Sequence, residues 1–239
     1  MSSRHNKGGQ GSNKVSALPR YSQNLGILGI DGQRKLLSCK IIVAGLGGLG
    51  GHVLDISARL GIGTIAGIDH DVFDETNLNR QLLSDEPSVG QPKALVAAAH
   101  ARAINSHINF IPIKEKLENV NEKLFKGAHL VFDCLDNPSS RILLQNIATR
   151  NNLPLVHGAI GGWYGQVAVV WPGNNVINTI YGSMSKGVEN KLGNPSFTPP
   201  VAAGIMVSEG VKVLLGKNVG ANLFIFFDLL EDEFNLLKF

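Results

Sequence analysis

Gly45, Gly47 and Gly50 fall in the pattern Gly-x-Gly-x-x-Gly, with Gly48 inside it, directly between an apolar run, Lys40–Ala44, and a helix-forming stretch. Such a turn has a definite use. The first glycine permits the tight turn, the second lets backbone approach a phosphate, and the third lets the helix lie against the strand. The helix start then offers unpaired N–H groups and a positive dipole end to an anion. Alone, the pattern is a weak sign in a chain with 28 glycines. Asp69 strengthens it. It ends a second apolar run (residues 64–69), at the distance where an acid accepts hydrogen bonds from ribose hydroxyls. The order strand, loop, helix, strand, acid reads as a nucleotide site.

The next segment suggests which nucleotide. Asp69-His70-Asp71 leads to Asn77-Leu78-Asn79-Arg80-Gln81 and then to Gly90-Gln91-Pro92-Lys93. Helix dipole and backbone suffice for a dinucleotide's two bridging phosphates. A triphosphate carries more charge, and its transfer reactions need cations such as Arg80 and Lys93 to stabilise the leaving pyrophosphate. Asp136, in Asp133-Cys134-Leu135-Asp136-Asn137, ends a further strand and is directed to the same crevice as Asp69, because ligands of open parallel sheets lie beyond the strands' carboxyl ends. A carboxylate there either holds Mg²⁺, a hard cation that bridges phosphate oxygens, or caps the helix that opens at Pro138.

Apolar runs alternating with helical patterns predict a Rossmann-type α/β fold: a mostly parallel sheet flanked by helices, with a C-terminal antiparallel extension. Strands are expected at 40–44, 64–69, 109–113, 129–135, 155–159 and 166–171, and a late hairpin at 223–239 with its turn in 228–233. Helices are expected after Gly50, with Leu49, Val53, Ile56 and Leu60 on one face, and at 92–104, 119–126, 138–151 and 201–215. Residues 70–90 form a long polar connection, which in a compact domain suggests function. Residues 173–200, rich in Gly, Asn, Ser and Pro, read as a mobile loop.

Residues 1–17 are polar and Gly/Ser-rich and read as a flexible arm ahead of a single domain, 18–239. The formal charge of +3 is too small to argue for nucleic acid, and no apolar stretch suits a membrane span or a secretory leader. Two distant cysteines, Cys39 and Cys134, form no disulfide framework, and a cytoplasmic setting is expected.

The ordered set of Gly45–Gly50, Asp69-x-Asp71, Asn77-Leu78-Asn79-Arg80-Gln81, Gly90-x-x-Lys93 and Asp133-Cys-Leu-Asp136-Asn137 resembles the ThiF/MoeB/HesA family, relatives of ubiquitin-activating enzymes. Arg20-Tyr21-Ser22 and Gly32-Gln33-x-x-Leu36 are similar to its N-terminal helices, so the resemblance runs over residues 19–239. It implies ATP-dependent adenylation of the C-terminal Gly-Gly carboxylate of a ThiS/MoaD-like, ubiquitin-like sulfur carrier, for sulfur transfer in cofactor biosynthesis, by a homodimer. It implies an ATP site of Gly45, Gly47, Gly48, Gly50, Asp69, Asp71, Asn77, Arg80, Gln81, Lys93 and Asp136. There Asp69 binds ribose, Arg80 the phosphates, Asn77 and Gln81 line the phosphate side, Lys93 neutralises the α/β region, and Asp136 acts through magnesium.

Three departures stand out. The family's paired Cys-x-x-Cys zinc ligands are missing around residues 179–183 and in the tail, so no zinc is expected, with packing of Tyr181 and the C-terminal hairpin in its place. The crossover segment 191–200 has no cysteine, which argues against a covalent step on this chain. Gln23 stands where the family has an arginine that reaches the partner subunit's ATP, which implies that the intersubunit phosphate contact is weakened or that Arg20 or Arg34 substitutes. Adenylation of a peptide or small-molecule carboxylate stays open beside the carrier reading, as do an NAD- or FAD-binding oxidoreductase and a non-catalytic nucleotide sensor.

Overall fold

The computed structural model describes residues 18–182, 192–220 and 223–238; the expected arm at 1–17 and part of the expected loop at 173–200 lie outside them. Eight strands form one sheet in the order β3-β2-β1-β4-β5-β6-β7-β8. β1 (Lys40–Ala44), β2 (Thr64–Ile68), β3 (Asn109–Ile113), β4 (Leu130–Asp133) and β5 (Leu155–Gly161) are parallel; β6 (Tyr164–Val170), β7 (Leu223–Asp228) and β8 (Glu233–Lys238) continue antiparallel. The chain reverses direction across the sheet between β1 and β4, the crevice position for a ligand in such folds.

Alternation within the strands builds two cores. Ile41 and Val43 face one side with Val53, Leu54, Ala97 and Met206. Ile42 and Ala44 face the other with Phe125, Leu144, Ile147 and Tyr181. The first side carries α1 (Leu25–Ser38), α2 (Gly48–Leu60), α3 (Lys93–Ile104) and α6 (Thr198–Leu215); the second carries α4 (Pro138–Arg150) and α5 (Val176–Tyr181). Burial on both faces is why the parallel strands read as continuous apolar runs. On α2, Leu49 and Val53 are buried, and Ile56 and Leu60 pack against the same core.

Several boundaries differ from expectation. α6 begins at Thr198 rather than 201, because Pro199 and Pro200 fit a first turn whose N–H groups have no helical partner. The expected helix at 119–126 is two single 3₁₀ turns, Leu117–Asn119 and Glu122–Phe125. The segment 173–200 contains α5, and α6 takes its last three residues. The long connection 70–90 is organised by two further 3₁₀ turns, each closed by a capping box, Asp74 with Asn77 and Asp85 with Ser88. Among the described residues no helix is long and apolar enough to cross a membrane.

Candidate active site

The glycine turn is forced into shape by its neighbours. Gly45 has φ +87°, and a Cβ there would lie 2.6 Å from the Cys134 carbonyl oxygen. A Cβ at Gly50 would lie 1.8 Å from the carbonyl oxygen of Gly45, so only glycine lets α2 start this close to the end of β1. Leu46 N–H then donates to Asp69 Oδ2 at 2.7 Å, and Asp71 N–H donates to Asp69 Oδ1 at 2.8 Å. The acid at the end of β2 therefore braces the glycine turn from beneath. Each of its oxygens keeps lone pairs for a further donor. Burial pushes the Asp69 carboxyl above the usual range, and the two backbone donors and Lys93 pull against that.

A cavity of about 360 Å³ opens over the carboxyl ends of β1, β2 and β4. Its walls include Gly45, Gly47 and Gly48, the acids Asp69 and Asp71, and Arg80, Gln81, Lys93 and Asp136. Gly50 and Asn77 stand outside the lining. Gly50 serves the packing just described. Asn77 is buried and its side-chain oxygen takes Asp74 N–H, so it shapes the 3₁₀ turn that leads into Arg80, and its backbone carbonyl accepts the N–H groups of Arg80 and Gln81.

The two bases are fixed differently. Lys93 is buried, with Nζ 3.4 Å from Asp71 Oδ2 and 5.8 Å from the Phe73 ring centroid. Backbone pairing puts it there: Lys93 N–H donates to the Asp71 carbonyl and Phe73 N–H to that of Gln91. Arg80 is half-buried, its Nη1 donating to Thr76 O and Asn79 Oδ1. Asp136 is exposed at the rim. The capping role falls to Asn137, whose Oδ1 accepts from Ser140 N–H at 2.9 Å, which leaves Asp136 with one 3.4 Å contact from Asn137 Nδ2. An exposed carboxylate facing a polar cavity is a suitable oxygen ligand for Mg²⁺. Among the described residues, Asp69, His70 and Asp71 also lie close enough to share a cation, but both Asp69 oxygens already accept backbone N–H groups and Asp71 faces Lys93 and His70. Asp136 is the better fit.

Several lining residues carried no role in the sequence reading. Glu115, Lys116 and Glu118 follow β3, and their place could have been read from the rule that strand carboxyl ends line the crevice. Asn194 reaches the cavity from the segment before α6, for which the sequence gives no sign. Beneath the floor, buried His157 Nδ1 lies 2.8 Å from Asp133 Oδ2, and Arg141 and Gln166 each donate to Tyr181 Oη at 2.7 Å. This polar cluster ties α5 to β5 and β6. The thiol of Cys134, at the cavity wall, is pushed well up by burial and then by Asp133, and burial also raises that of Cys39; neither is a ready nucleophile. Arg20 donates to Asn105 Oδ1 and Arg34 to Asp31 Oδ1, so both are held locally, away from this cavity.

A second recess of about 410 Å³ adjoins the first and shares Ile160 with it. Tyr164, Ile180, Tyr181, Leu192 and Phe226 line it, and it is almost wholly apolar. Trp163 rests on Phe197 at 4.4 Å between ring centroids, beside the β5–β6 turn.

The chain is similar to several known proteins. The SAMP-activating enzyme E1 of Haloferax volcanii is 35% identical over 161 residues, covering 66% of this chain and 60% of that protein. The adenylyltransferase and sulfurtransferase UBA4 of Meyerozyma guilliermondii is 40% identical over 138 residues, 57% of this chain and 32% of that one. This chain thus spans less than two thirds of either relative. Among solved structures, E. coli MccB with ATP superposes with a TM-score of 0.76 at 24% identity, over 93% of this chain and 72% of the other, which shows a common fold. The model of the ThiF family matches residues 21–239, the glycine turn, both acids and both bases included, and the chain belongs to that family.

Proposed function

We propose that the chain uses ATP to adenylate a carboxylate, the C-terminal Gly-Gly of a ThiS/MoaD-like carrier protein being the favoured substrate. The observation that carries this is the gathering of Asp69, Arg80, Lys93 and Asp136 on one cavity beside the glycine turn. A nicotinamide enzyme needs no such cations at its pyrophosphate, and a sensor without chemistry has no physical need for all four groups. The printed names of the relatives, an activating enzyme and adenylyltransferases, support the same reading.

In the reaction, a carboxylate oxygen attacks the α-phosphorus, the bond to the bridging α–β oxygen breaks, and pyrophosphate leaves with the electron pair. Asp69 accepts the ribose hydroxyls. The N–H groups of the glycine turn and the α2 N-terminus hold the phosphates. Arg80 and Lys93 stabilise the charge that builds on the departing pyrophosphate, and no nucleophile from the protein is needed because such transfers rest on positioning and electrostatics. Asp136 holds Mg²⁺, which when bound neutralises phosphate charge. The carrier tail enters over the β5–β6 turn, past Trp163 and Tyr164, with the apolar recess as its landing surface. A homodimer in the cytoplasm, with no zinc, completes the reading.

ATP–pyrophosphate exchange tests it. Exchange should require Mg²⁺ and a carrier ending in Gly-Gly, and NAD should not compete. Exchange driven instead by free peptides or small carboxylates would move the substrate to the second reading. Tight NAD binding without any ATP binding would refute adenylation.

A further inference from the structure

Two side-chain oxygens at the cavity are mismatched to phosphate. Gln81 Oε1 and Asn194 Oδ1 are buried and have no hydrogen-bond partner among the described residues, and both residues line the cavity. Gln81 is 6% exposed. An acceptor buried without a donor is costly, so a native site with two of them calls for donors.

Both residues stand on the Arg80 side. Gln81 follows Arg80 directly, and a Cβ at Gly47 would lie 3.5 Å from its Nε2 and 3.6 Å from its Oε1. Asn79 Nδ2 donates to the Asn194 carbonyl at 3.0 Å while Asn79 Oδ1 accepts from Arg80 Nη1 at 2.9 Å, so one side chain ties the Asn194 backbone to the arginine. Gly162 N–H donates to the Gly193 carbonyl at 2.8 Å, and Thr198 Oγ1 donates to the Gly162 carbonyl at 2.6 Å, which pins the segment to the β5–β6 turn as well. Asp136 is reached from the same glycine turn. A Cβ at Gly45 would lie 2.6 Å from the Cys134 carbonyl oxygen and 3.3 Å from Leu135 N, and Asp136 is the next residue. The turn thus meets Gln81 at Gly47 and the backbone leading to Asp136 at Gly45.

Phosphate oxygens are acceptors and satisfy neither amide oxygen. The ribose hydroxyls are donors, but in the adenylation reading Asp69 takes them at the end of β2. The cation of a triphosphate is the remaining source of hydrogens. Mg²⁺ dehydrates reluctantly and keeps several waters when a carboxylate and phosphates hold it. A water on a dication donates strongly, because the charge polarises its O–H bonds. A neutral amide oxygen can accept from it without bringing a negative charge up to the phosphates.

We propose that Gln81 and Asn194 grip the hydration shell of the nucleotide's Mg²⁺, their side-chain oxygens accepting from waters on the cation that Asp136 holds. They are positioning residues for the metal and not its direct ligands. This rests on the adenylation reading and adds two residues to its cation site.

Binding of α,β-methylene ATP, whose α–β bridge cannot break, tests it by titration calorimetry on the full chain, once with Mg²⁺ and once with EDTA. Wild type should bind the analogue more tightly with Mg²⁺. Gln81→Leu and Asn194→Leu should each cut that gain about tenfold, the size expected when an outer partner of a metal site is removed. Gln81→Glu keeps an acceptor and loses the amide donor, and it should retain the gain. A full gain in either leucine variant would overturn the proposal. So would an affinity loss equal with and without Mg²⁺, which would mean that the amide meets the nucleotide itself, a ribose hydroxyl included. A Gln81→Glu protein that behaves like Gln81→Leu would overturn it too, since the amide N–H would then be the working group. Wild-type binding that ignores Mg²⁺ would remove this proposal and leave the nucleotide site standing. No binding of the analogue under either condition would refute the adenylation reading beneath it, a distinct result.

Discussion

The two adjoining recesses of this molecule share Ile160 and differ in almost everything else. The first is walled by backbone at a glycine turn and by charged side chains of both signs, Asp69, Asp136, Arg80 and Lys93 among them; the second is walled by side chains of β5, β6, α5, β7 and Leu192, nearly all apolar. Local backbone constraint makes the first. Long-range packing makes the second, since Tyr164, Tyr181 and Phe226 meet only once the antiparallel extension has paired. A site for phosphate is thus written in short motifs, while a site for a partner's surface is assembled by the fold.

This division can be broken by experiment. The largest effect is expected at Gly50. A methyl there meets the Gly45 carbonyl, so Gly50→Ala should cost about 3 kcal/mol or more in chemical denaturation, the magnitude of severe overpacking, and should abolish ATP binding. A variant of wild-type stability would show that the turn is looser than described.

Lys93→Met comes next. It retains an apolar stem beside Phe73 while removing the charge, and should slow pyrophosphate exchange about 100-fold with the melting temperature nearly unchanged. Undiminished exchange would remove Lys93 from the chemistry.

Leu192→Ser probes the other recess. We expect KM for the Gly-Gly carrier to rise about tenfold with KM for ATP unchanged, as for loss of a contact made equally in ground and transition states. A change in the ATP constant would mean that the two recesses are not separable.

The smallest effect is in pH dependence. Ribose needs the ionised Asp69, and burial has raised that carboxyl's pKa. The acceptor form is complete at neutral pH and is lost as pH falls, starting above the ordinary aspartate value of about 3.9. Adenosine, which has no phosphate to titrate, should lose affinity in that higher range, and Asp69→Asn should bind it weakly with a flat profile. A wild-type midpoint at the ordinary value would mean that Asp69 is more solvated than its geometry implies.

The same contrast explains what was legible in the chain. β1 was read to the residue because a buried parallel strand is an unbroken apolar run, here ending at glycine; β3, an edge strand whose residues are exposed or half-buried, was bounded instead by the polar residues Asn109 and Lys114. Gly45–Gly50, Asp69, Arg80 and Lys93 could be placed because each follows directly from a strand end or a helix start. Asp136 was ambiguous between ligand and cap, and only the geometry of Asn137 Oδ1 separates the two. Asn77 was placed on the phosphate side, but its amide is spent on closing a turn. Asn194 could not be found at all: its position depends on Gly162, 32 residues earlier, gripping Gly193 and Thr198. The start of α6 was misjudged because two prolines read as loop until the helix places them in its first turn.

The central claim is that the two bases serve a triphosphate and that Arg80 in particular meets its leaving end. Calorimetric titration of MgATP and of AMP into wild type and Arg80→Ala tests this most directly. The account predicts at least a tenfold (~1.4 kcal/mol) loss for MgATP with the AMP affinity held. Equal losses for both nucleotides, or no loss for either, would contradict it.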